Sequence, residues 1–143
     1  MPQWPLNPPF RAAVRLAAAI DHRALMLLGV APRVFVDLEW VWEVKYGGHR
    51  ALAFREGRTA RIISRRGTDL SRAFPEMIEA LRALNCDVII DGELTAAGAD
   101  GKPDFHALRP RAKMSSSQSI RSAVSAHPAT LYVFDPSAQR ISR

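Results

Sequence analysis

Apolar and polar residues alternate in several short stretches of the chain, and such alternation predicts β-strands. The clearest stretch is 40–46, whose apolar positions are Trp40, Trp42, Val44 and Tyr46. Side chains of a strand point to opposite faces with period two, so Glu43 and Lys45 would share the other face. Gly47-Gly48 follows directly and predicts a turn.

The remaining strands are predicted by β-branched and aromatic runs bounded by turn residues. In chain order the predicted strands are 34–36, 40–46, 51–54, 59–64, 86–97 and 130–135. Arg55-Glu56-Gly57-Arg58 indicates a hairpin, and Asp100-Gly101 indicates a second turn. Few helices separate these strands, which predicts an α+β domain with an antiparallel or mixed sheet. Dinucleotide-binding and P-loop glycine patterns are missing from the sequence.

One amphipathic helix is predicted after the hairpin. Asp69 or Ser71 can cap it, and Pro75 suits its first turn. Its apolar stripe consists of Met77, Ile78, Leu81 and Leu84. We expect this helix to end at Asn85.

Three further segments lack a strand pattern. Residues 11–28 are rich in Ala, Leu and Arg and favour a helix. Residues 104–111 favour a short helix with Phe105 and Leu108 facing inward. Residues 115–125 are rich in serine, and we expect a mobile surface loop there.

Length, charge and cysteine content limit the classes of protein to which the chain can belong. A chain of 143 residues suits one domain, and 20 basic against 14 acidic residues give a net charge of +6. A basic surface favours polyanionic partners, although a GC-rich genome would also raise the arginine and alanine content. The single cysteine, Cys86, excludes an internal disulfide and favours a reducing compartment. With no apolar run long enough for a membrane span and no signal-peptide pattern, we expect a cytoplasmic protein and no membrane partner.

Two pairs of charged residues on strands are candidates for chemistry. Glu43 and Lys45 form either an exposed ion pair or part of a nucleotide pocket with a nucleophilic lysine. Asp91 and Glu93 share one strand face, where a lysine, an arginine or a metal ion would offset their repulsion. The alternative is that Asp91-Gly92 forms a turn and Glu93 is solvated.

Four motifs in order resemble the adenylation domain of ATP-dependent DNA ligases, a member of the covalent nucleotidyltransferase (ATP-grasp-like) superfamily. The motifs are Lys45-Tyr46-Gly47-Gly48-His49-Arg50, Ser64-Arg65-Arg66-Gly67, Asp91-Gly92-Glu93 and Tyr132-Val133-Phe134-Asp135. AFPEMIEALRAL and GKPDFHALRPR resemble the connecting segments of the family, and the ligases of bacterial end-joining systems are the most similar type. The resemblance covers residues 25–143 and leaves residues 1–24 as an N-terminal extension.

The resemblance implies a role for each motif residue. Lys45 would attack the α-phosphate of ATP and hold AMP as a lysyl-AMP intermediate, for the joining of nicked or broken DNA in repair and recombination. Burial, a neighbouring cation or a metal ion would lower the pKa of the attacking amine. The other implied contacts are Glu43 to adenine, Arg50 to the ribose or the phosphates, Glu93 to the ribose hydroxyls, Phe134 stacked on adenine, and Arg65 on a DNA 5′-phosphate. Mg²⁺ or Mn²⁺ would accompany ATP, with Asp91 and Glu93 as candidate metal ligands.

The sequence departs from the family pattern at two points. Gly47 stands where the motif has an aspartate, and the later glutamate and lysine motifs and the OB-fold domain are not found. We therefore expect a truncated adenylation domain that cannot complete ligation alone and whose missing motifs a complementary polypeptide could supply. A non-catalytic nucleic-acid-binding remnant and an RNA ligase or capping-type nucleotidyltransferase are the alternatives.

Overall fold

The computed structural model describes residues 45–134. The predicted helix at 11–28, the strand at 34–36, most of the strand at 40–46 and Glu43 therefore lie outside the described residues. The same applies to Asp135 at the end of the last predicted strand.

The first two strands form the predicted hairpin. β1 spans His49–Glu56 and β2 spans Thr59–Ser64, and they pair antiparallel. Gly57 occupies the turn with φ of 58°, a left-handed conformation that a glycine adopts without steric cost. The hairpin prediction is confirmed, and β1 is longer at both ends than the alternation indicated.

A single antiparallel sheet joins the strands of the described region. β3 spans Val88–Ala96 and β4 spans Ala129–Val133, and the strand order is β2-β1-β3-β4. β3 thus lies between β1 and β4 and pairs antiparallel with both. The predicted α+β class with an antiparallel sheet is confirmed.

Three helices accompany the sheet: α1 (Pro75–Ala83), α2 (Phe105–Arg111) and α3 (Ser117–Ala126). The core lies between one sheet face and the helices. Its most deeply buried members are Ala51, Ala53, Ile62, Phe74, Leu94, Ala96 and Leu108. On β1 and β3, the side chains that alternate with these core residues include Arg50, Asp91 and Glu93. These charged motif residues therefore lie on the other face of the sheet.

Two predictions about helix ends and faces are wrong. Phe74 is the N-cap of α1, whereas Asp69 and Ser71 form a turn before it, with the Ser71 amide donating to Asp69 Oδ1 at 2.9 Å. Leu84 is the C-cap of α1 and is 37% exposed. The helix ends before Leu84, so this side chain does not join the apolar stripe. Pro75 occupies the first turn, as predicted.

Two further predictions are wrong for the later segments. The expected serine-rich loop is the helix α3, which Ser116 caps by accepting from the Ser119 amide and which buries Ile120 and Ala123. Phe105 is 40% exposed instead of facing inward, while Leu108 is fully buried as expected. Among residues 45–134 there is no helix with the length and apolar character of a membrane span.

Candidate active site

A cavity of about 800 Å³ brings together motif residues that are far apart in sequence. Five of the seven candidate site residues line it: Lys45, Arg50, Arg65, Glu93 and Phe134. The sixth, Asp91, does not line the cavity itself but binds Arg50, which does. The seventh, Glu43, lies outside the described residues.

The segment carrying Lys45 is held close to the sheet by glycine. A Cβ on Gly48 would lie 2.4 Å from the Leu94 carbonyl oxygen, so only glycine permits this approach. The Gly48 amide also lies near the Glu93 carboxylate and acts to lower the pKa of that carboxyl. Lys45 and Tyr46 are not in a strand, so the strand predicted for 40–46 does not extend to its expected end.

Tyr46 provides a second attachment for this segment. Its ring stacks on the Tyr132 ring with centroids 4.0 Å apart and planes inclined by 13°. Tyr132 lies on β4 directly opposite Glu93 on β3. The residues on either side of Gly47 are thus fixed to neighbouring positions of the sheet, and Lys45 itself is exposed at the cavity.

Asp91 on β3 and Arg50 on β1 form a bidentate ion pair. Arg50 Nε donates to Asp91 Oδ1 and Arg50 Nη2 donates to Asp91 Oδ2, both at 2.6 Å. The guanidinium also lies over the Phe134 ring, 4.2 Å from its centroid. Of the three groups that could offset the Asp91–Glu93 repulsion, the described residues provide an arginine, Arg50, and a lysine, Lys45, whose charges both act to lower the pKa of Glu93.

The two carboxylates of β3 have different environments. Burial raises the pKa of Glu93 above its usual value, against the opposing effects of Arg50, the Gly48 amide and Lys45. Gly92 between them is in the middle of β3, and a Cβ there would lie 2.4 Å from the Tyr132 carbonyl oxygen. The alternative of a turn at Asp91-Gly92 is therefore wrong.

The cavity is strongly positive. Beside Glu93, its charged lining consists of Lys45, Arg50, Arg65, Arg66, Arg109 and Lys113. Within residues 45–134 only Arg50 of these cations pairs with a carboxylate. Burial and, secondarily, the charge of Arg66 lower the pKa of His49, which keeps this imidazole neutral at physiological pH. Such a lining suits a ligand with several phosphates.

The described residues alone do not suit Mg²⁺ or Mn²⁺. Residues 45–134 contain no cluster of three or more His, Cys, Asp or Glu side chains that could hold a metal ion. Both oxygens of Asp91, a candidate ligand, already accept hydrogen bonds from Arg50. Among the described residues that line the cavity, Glu93 is then the one remaining carboxylate.

Arg66, Arg109, Lys113 and Tyr132 were not among the predicted site residues. Arg109 lies in α2 and Lys113 lies two residues past the end of this helix. The cluster of three basic residues within 109–113 was the signal available in the sequence. The stacking of Tyr132 on Tyr46 depends on how β4 aligns with β3, which no local pattern specifies.

Comparison with known proteins assigns the family. The family model described as "ATP dependent DNA ligase domain" matches residues 32–136. A DNA ligase of Methanosphaerula palustris is 50% identical over 62 residues, which cover 43% of this chain and 11% of that protein. DNA ligase C of Mycobacterium tuberculosis is 36% identical over 95 residues, which cover 66% of this chain and 26% of that protein.

One solved structure, the ligase domain of M. tuberculosis LigD, has 22% identity and a TM-score of 0.48, and the match covers 65% of this chain and 27% of that chain. The chain spans at most about a quarter of the length of the two curated relatives above. Because the family match extends over well more than half of its residues, the chain belongs to the ATP-dependent DNA ligase domain family.

Proposed function

We propose that this chain supplies part of the adenylation site of an ATP-dependent DNA ligase, with Lys45 as the nucleophile. The observation that carries the proposal is a positive cavity lined by Lys45, Arg50, Glu93 and Phe134, which come from three separate segments of the chain. Family membership supports ATP as the nucleotide.

The reaction is a nucleotidyl transfer. The neutral Lys45 amine would attack the α-phosphorus of ATP, forming a P–N bond as the bond to the bridging oxygen breaks and pyrophosphate leaves. The amine releases one proton to solvent in the process, since Lys45 is exposed. The unpaired cations around the cavity would stabilise the charge that accumulates on the phosphates and the leaving group.

The other lining residues would bind and orient the nucleotide. Glu93, on the central strand β3, would accept hydrogen bonds from the ribose hydroxyls. Phe134 would stack on adenine with the ring face that Arg50 does not cover. Arg65, exposed at the turn after β2, would bind the 5′-phosphate of nicked DNA, which the family supports as the nucleic-acid substrate.

A second candidate function is nucleic-acid binding without adenylation. Gly47 in place of the motif aspartate favours it, because Lys45 then lacks the carboxylate that the motif supplies two positions further along the chain. The unpaired cations of the cavity also favour nucleic-acid binding, because they would bind a phosphate backbone with or without catalysis.

The test is an intact-protein mass spectrum after incubation with ATP and Mg²⁺, with Lys45→Ala as the matched control. We expect the mass of one AMP to be added to the wild type and to be missing from the variant. GTP in place of ATP should give no adduct, whereas a GMP adduct would indicate a capping-type enzyme. Unmodified wild-type protein that is folded and binds nicked DNA would refute adenylation by this chain and support the second candidate.

A further inference from the structure

Among the described residues, packing and not backbone hydrogen bonding attaches the segment that carries Lys45. No backbone-to-backbone hydrogen bond within residues 45–134 involves residues 45–48. Gly47-Gly48 lies between this lysine and β1, and glycine permits more backbone conformations than other residues. The position of Lys45 relative to β1 therefore depends on the one residue between them that has a side chain, Tyr46.

The side chain of Tyr46 is fixed by an aromatic contact. Its ring lies flat against the Tyr132 ring, with centroids 4.0 Å apart and planes inclined by 13°, and both residues are partly buried. A stacked pair favours its closed contact by roughly two- to tenfold beyond the effect of burying the same area. Because Tyr46 directly follows Lys45, this contact limits how far the lysine can move from the sheet.

Tyr132 in turn has a fixed place in the sheet. It lies on β4 directly opposite Glu93 of β3, and Glu93 lines the cavity whereas Tyr132 does not. Side chains of directly opposite residues share one face, with their Cβ atoms about 4.5–5.5 Å apart. The ring that holds Tyr46 is thus one strand away from the carboxylate proposed to bind the ribose. β4 therefore sets the distance between the proposed nucleophile and that carboxylate.

We propose that Tyr132 is a positioning residue for Lys45. Its ring holds Tyr46, and through Tyr46 it holds the Lys45 amine at the cavity, so it governs the rate of AMP transfer and not the binding of ATP. The inference rests on the proposed function in taking Lys45 as the nucleophile. It adds a residue that lies outside the cavity and to which the family resemblance assigned no role.

The kinetic test compares single-turnover AMP transfer by wild type, Y132A and Y132F over a range of ATP concentrations. Y132A should lower the maximal rate by about tenfold or more, because the stack and its buried area are both lost. The ATP concentration at half-maximal rate should stay near the wild-type value, since Tyr132 does not line the cavity. Y132F keeps the ring and should react like the wild type.

The matched control is T130A, an exposed position on the same face of β4, which should also react like the wild type. Urea unfolding checks that each variant is folded, and Y132L takes the place of Y132A if the latter is not. Loss of rate in Y132F or T130A equal to that in Y132A would overturn the proposal. A change confined to the ATP concentration at half-maximal rate would also overturn it.

A double-mutant cycle tests whether the effect passes through Tyr46. If it does, Y46A/Y132A should react no more slowly than Y46A, because the first substitution already removes the stack. Rate losses that multiply in the double variant would show that Tyr132 acts by another route, and would overturn the proposal.

A second reagent separates this inference from adenylation. Pyridoxal 5′-phosphate carries a phosphate and an aldehyde, which forms an imine with a neutral amine as water leaves, and borohydride then reduces the imine. In the wild type, peptide mapping should show Lys45 labelled in preference to Lys102, because the cavity cations attract the phosphate. The Lys102 side chain is 81% exposed and lies outside the cavity. The preference should disappear in Y132A and persist in Y132F.

The two readouts distinguish the two proposals. A labelling preference for Lys45 that is missing from the wild type, or unchanged in Y132A, would overturn the positioning role. Stack-dependent labelling without any AMP adduct would refute adenylation and leave the positioning role in place. An adduct that forms equally fast in Y132A and the wild type would refute the positioning role and leave adenylation in place.

Discussion

Arg50 binds Asp91 through two parallel hydrogen bonds of 2.6 Å while its guanidinium covers one face of Phe134. One arginine of β1 thus connects β3 to the residue that follows β4. Arg50 and Asp91 are 16% and 30% exposed, so this pair is better shielded from solvent than an ordinary surface ion pair.

We expect the Arg50–Asp91 pair to contribute measurably to stability. A double-mutant cycle with Arg50→Ala and Asp91→Ala, followed by urea unfolding, should give a coupling free energy of about 1–2 kcal/mol, as for charged two-pronged hydrogen bonds. The control cycle uses Lys102 and Asp100, which are 3.9 Å apart and mostly exposed, and should give no measurable coupling. Equal coupling in the two cycles would contradict the prediction.

Gly47→Asp should increase AMP transfer. The nearest atom to a Cβ at Gly47 is the Phe105 Cβ at 3.7 Å, so an aspartate fits, and the unpaired cations nearby favour its charge. Restoring the carboxylate of the motif should raise the rate of adduct formation by about a hundredfold, the order that one positioned acid or base contributes. Quenched-flow mass spectrometry would measure it.

The neighbouring glycine supplies the control for that experiment. Gly48→Ala would bring a methyl group within 2.4 Å of the Leu94 carbonyl oxygen, so the Lys45 segment must move away from β3. We expect lower adduct formation and lower stability in this variant. An unchanged or slower rate in Gly47→Asp, in protein that unfolds like the wild type, would show that the missing aspartate is not what limits the reaction.

Arg111→Met should be strongly destabilising. The change leaves the partly buried Glu76 carboxylate without its cation, which typically costs about 3–5 kcal/mol in the free energy of unfolding. Arg109→Met, two positions along the same helix but exposed, should change it by less than about 0.5 kcal/mol. Urea unfolding measures both, and a small effect at Arg111 would show that the buried pair gives no net stability. In that case the double variant E76M/R111M would be no more stable than the single variant R111M.

Glu93 should make stability depend on pH. Its pKa is raised in the folded protein, chiefly by burial, so the folded state binds more protons than the unfolded state just above the usual value of 4.5. Stability from this residue is therefore present below that value and is lost as the pH rises through the folded pKa. Glu93→Gln should be more stabilising at pH 7 than at pH 4 in urea unfolding. The reverse order would mean that the Gly48 amide and the neighbouring cations outweigh burial.

The sequence predicted the sheet better than the helices that cover it. Alternation over 51–54 and 59–64 with Gly57 between them is a local signal, and the hairpin follows from it. α3 was missed because serine favours loops by composition, while its helical signals, the Ser116 cap and the Ile120–Ala123 spacing, are weak. The role of Arg111 could not be predicted, because Glu76 is 35 positions away and nothing local distinguishes a buried arginine from an exposed one.

The candidate site shows the same difference between local patterns, which the sequence reveals, and contacts between distant residues, which it does not. The candidate site residues were identified by resemblance, and those that fall within residues 45–134 line the cavity, apart from Asp91. The use of Asp91 as the partner of Arg50 depends on the register that places Arg50 opposite Glu93. Register is a property of two strands about forty residues apart, so the sequence of either strand alone does not contain it.

That register also has a kinetic consequence. Arg50, Glu93 and Tyr132 form one row across β1, β3 and β4, with about forty residues of chain between successive members. Contacts over such separations form late in folding, because each must first close a long loop. A ribosome makes Lys45 well before Tyr132, so for several seconds the nascent chain carries the proposed nucleophile without the row of residues beside it. The proposed nucleotide site is therefore complete only after the sheet has formed.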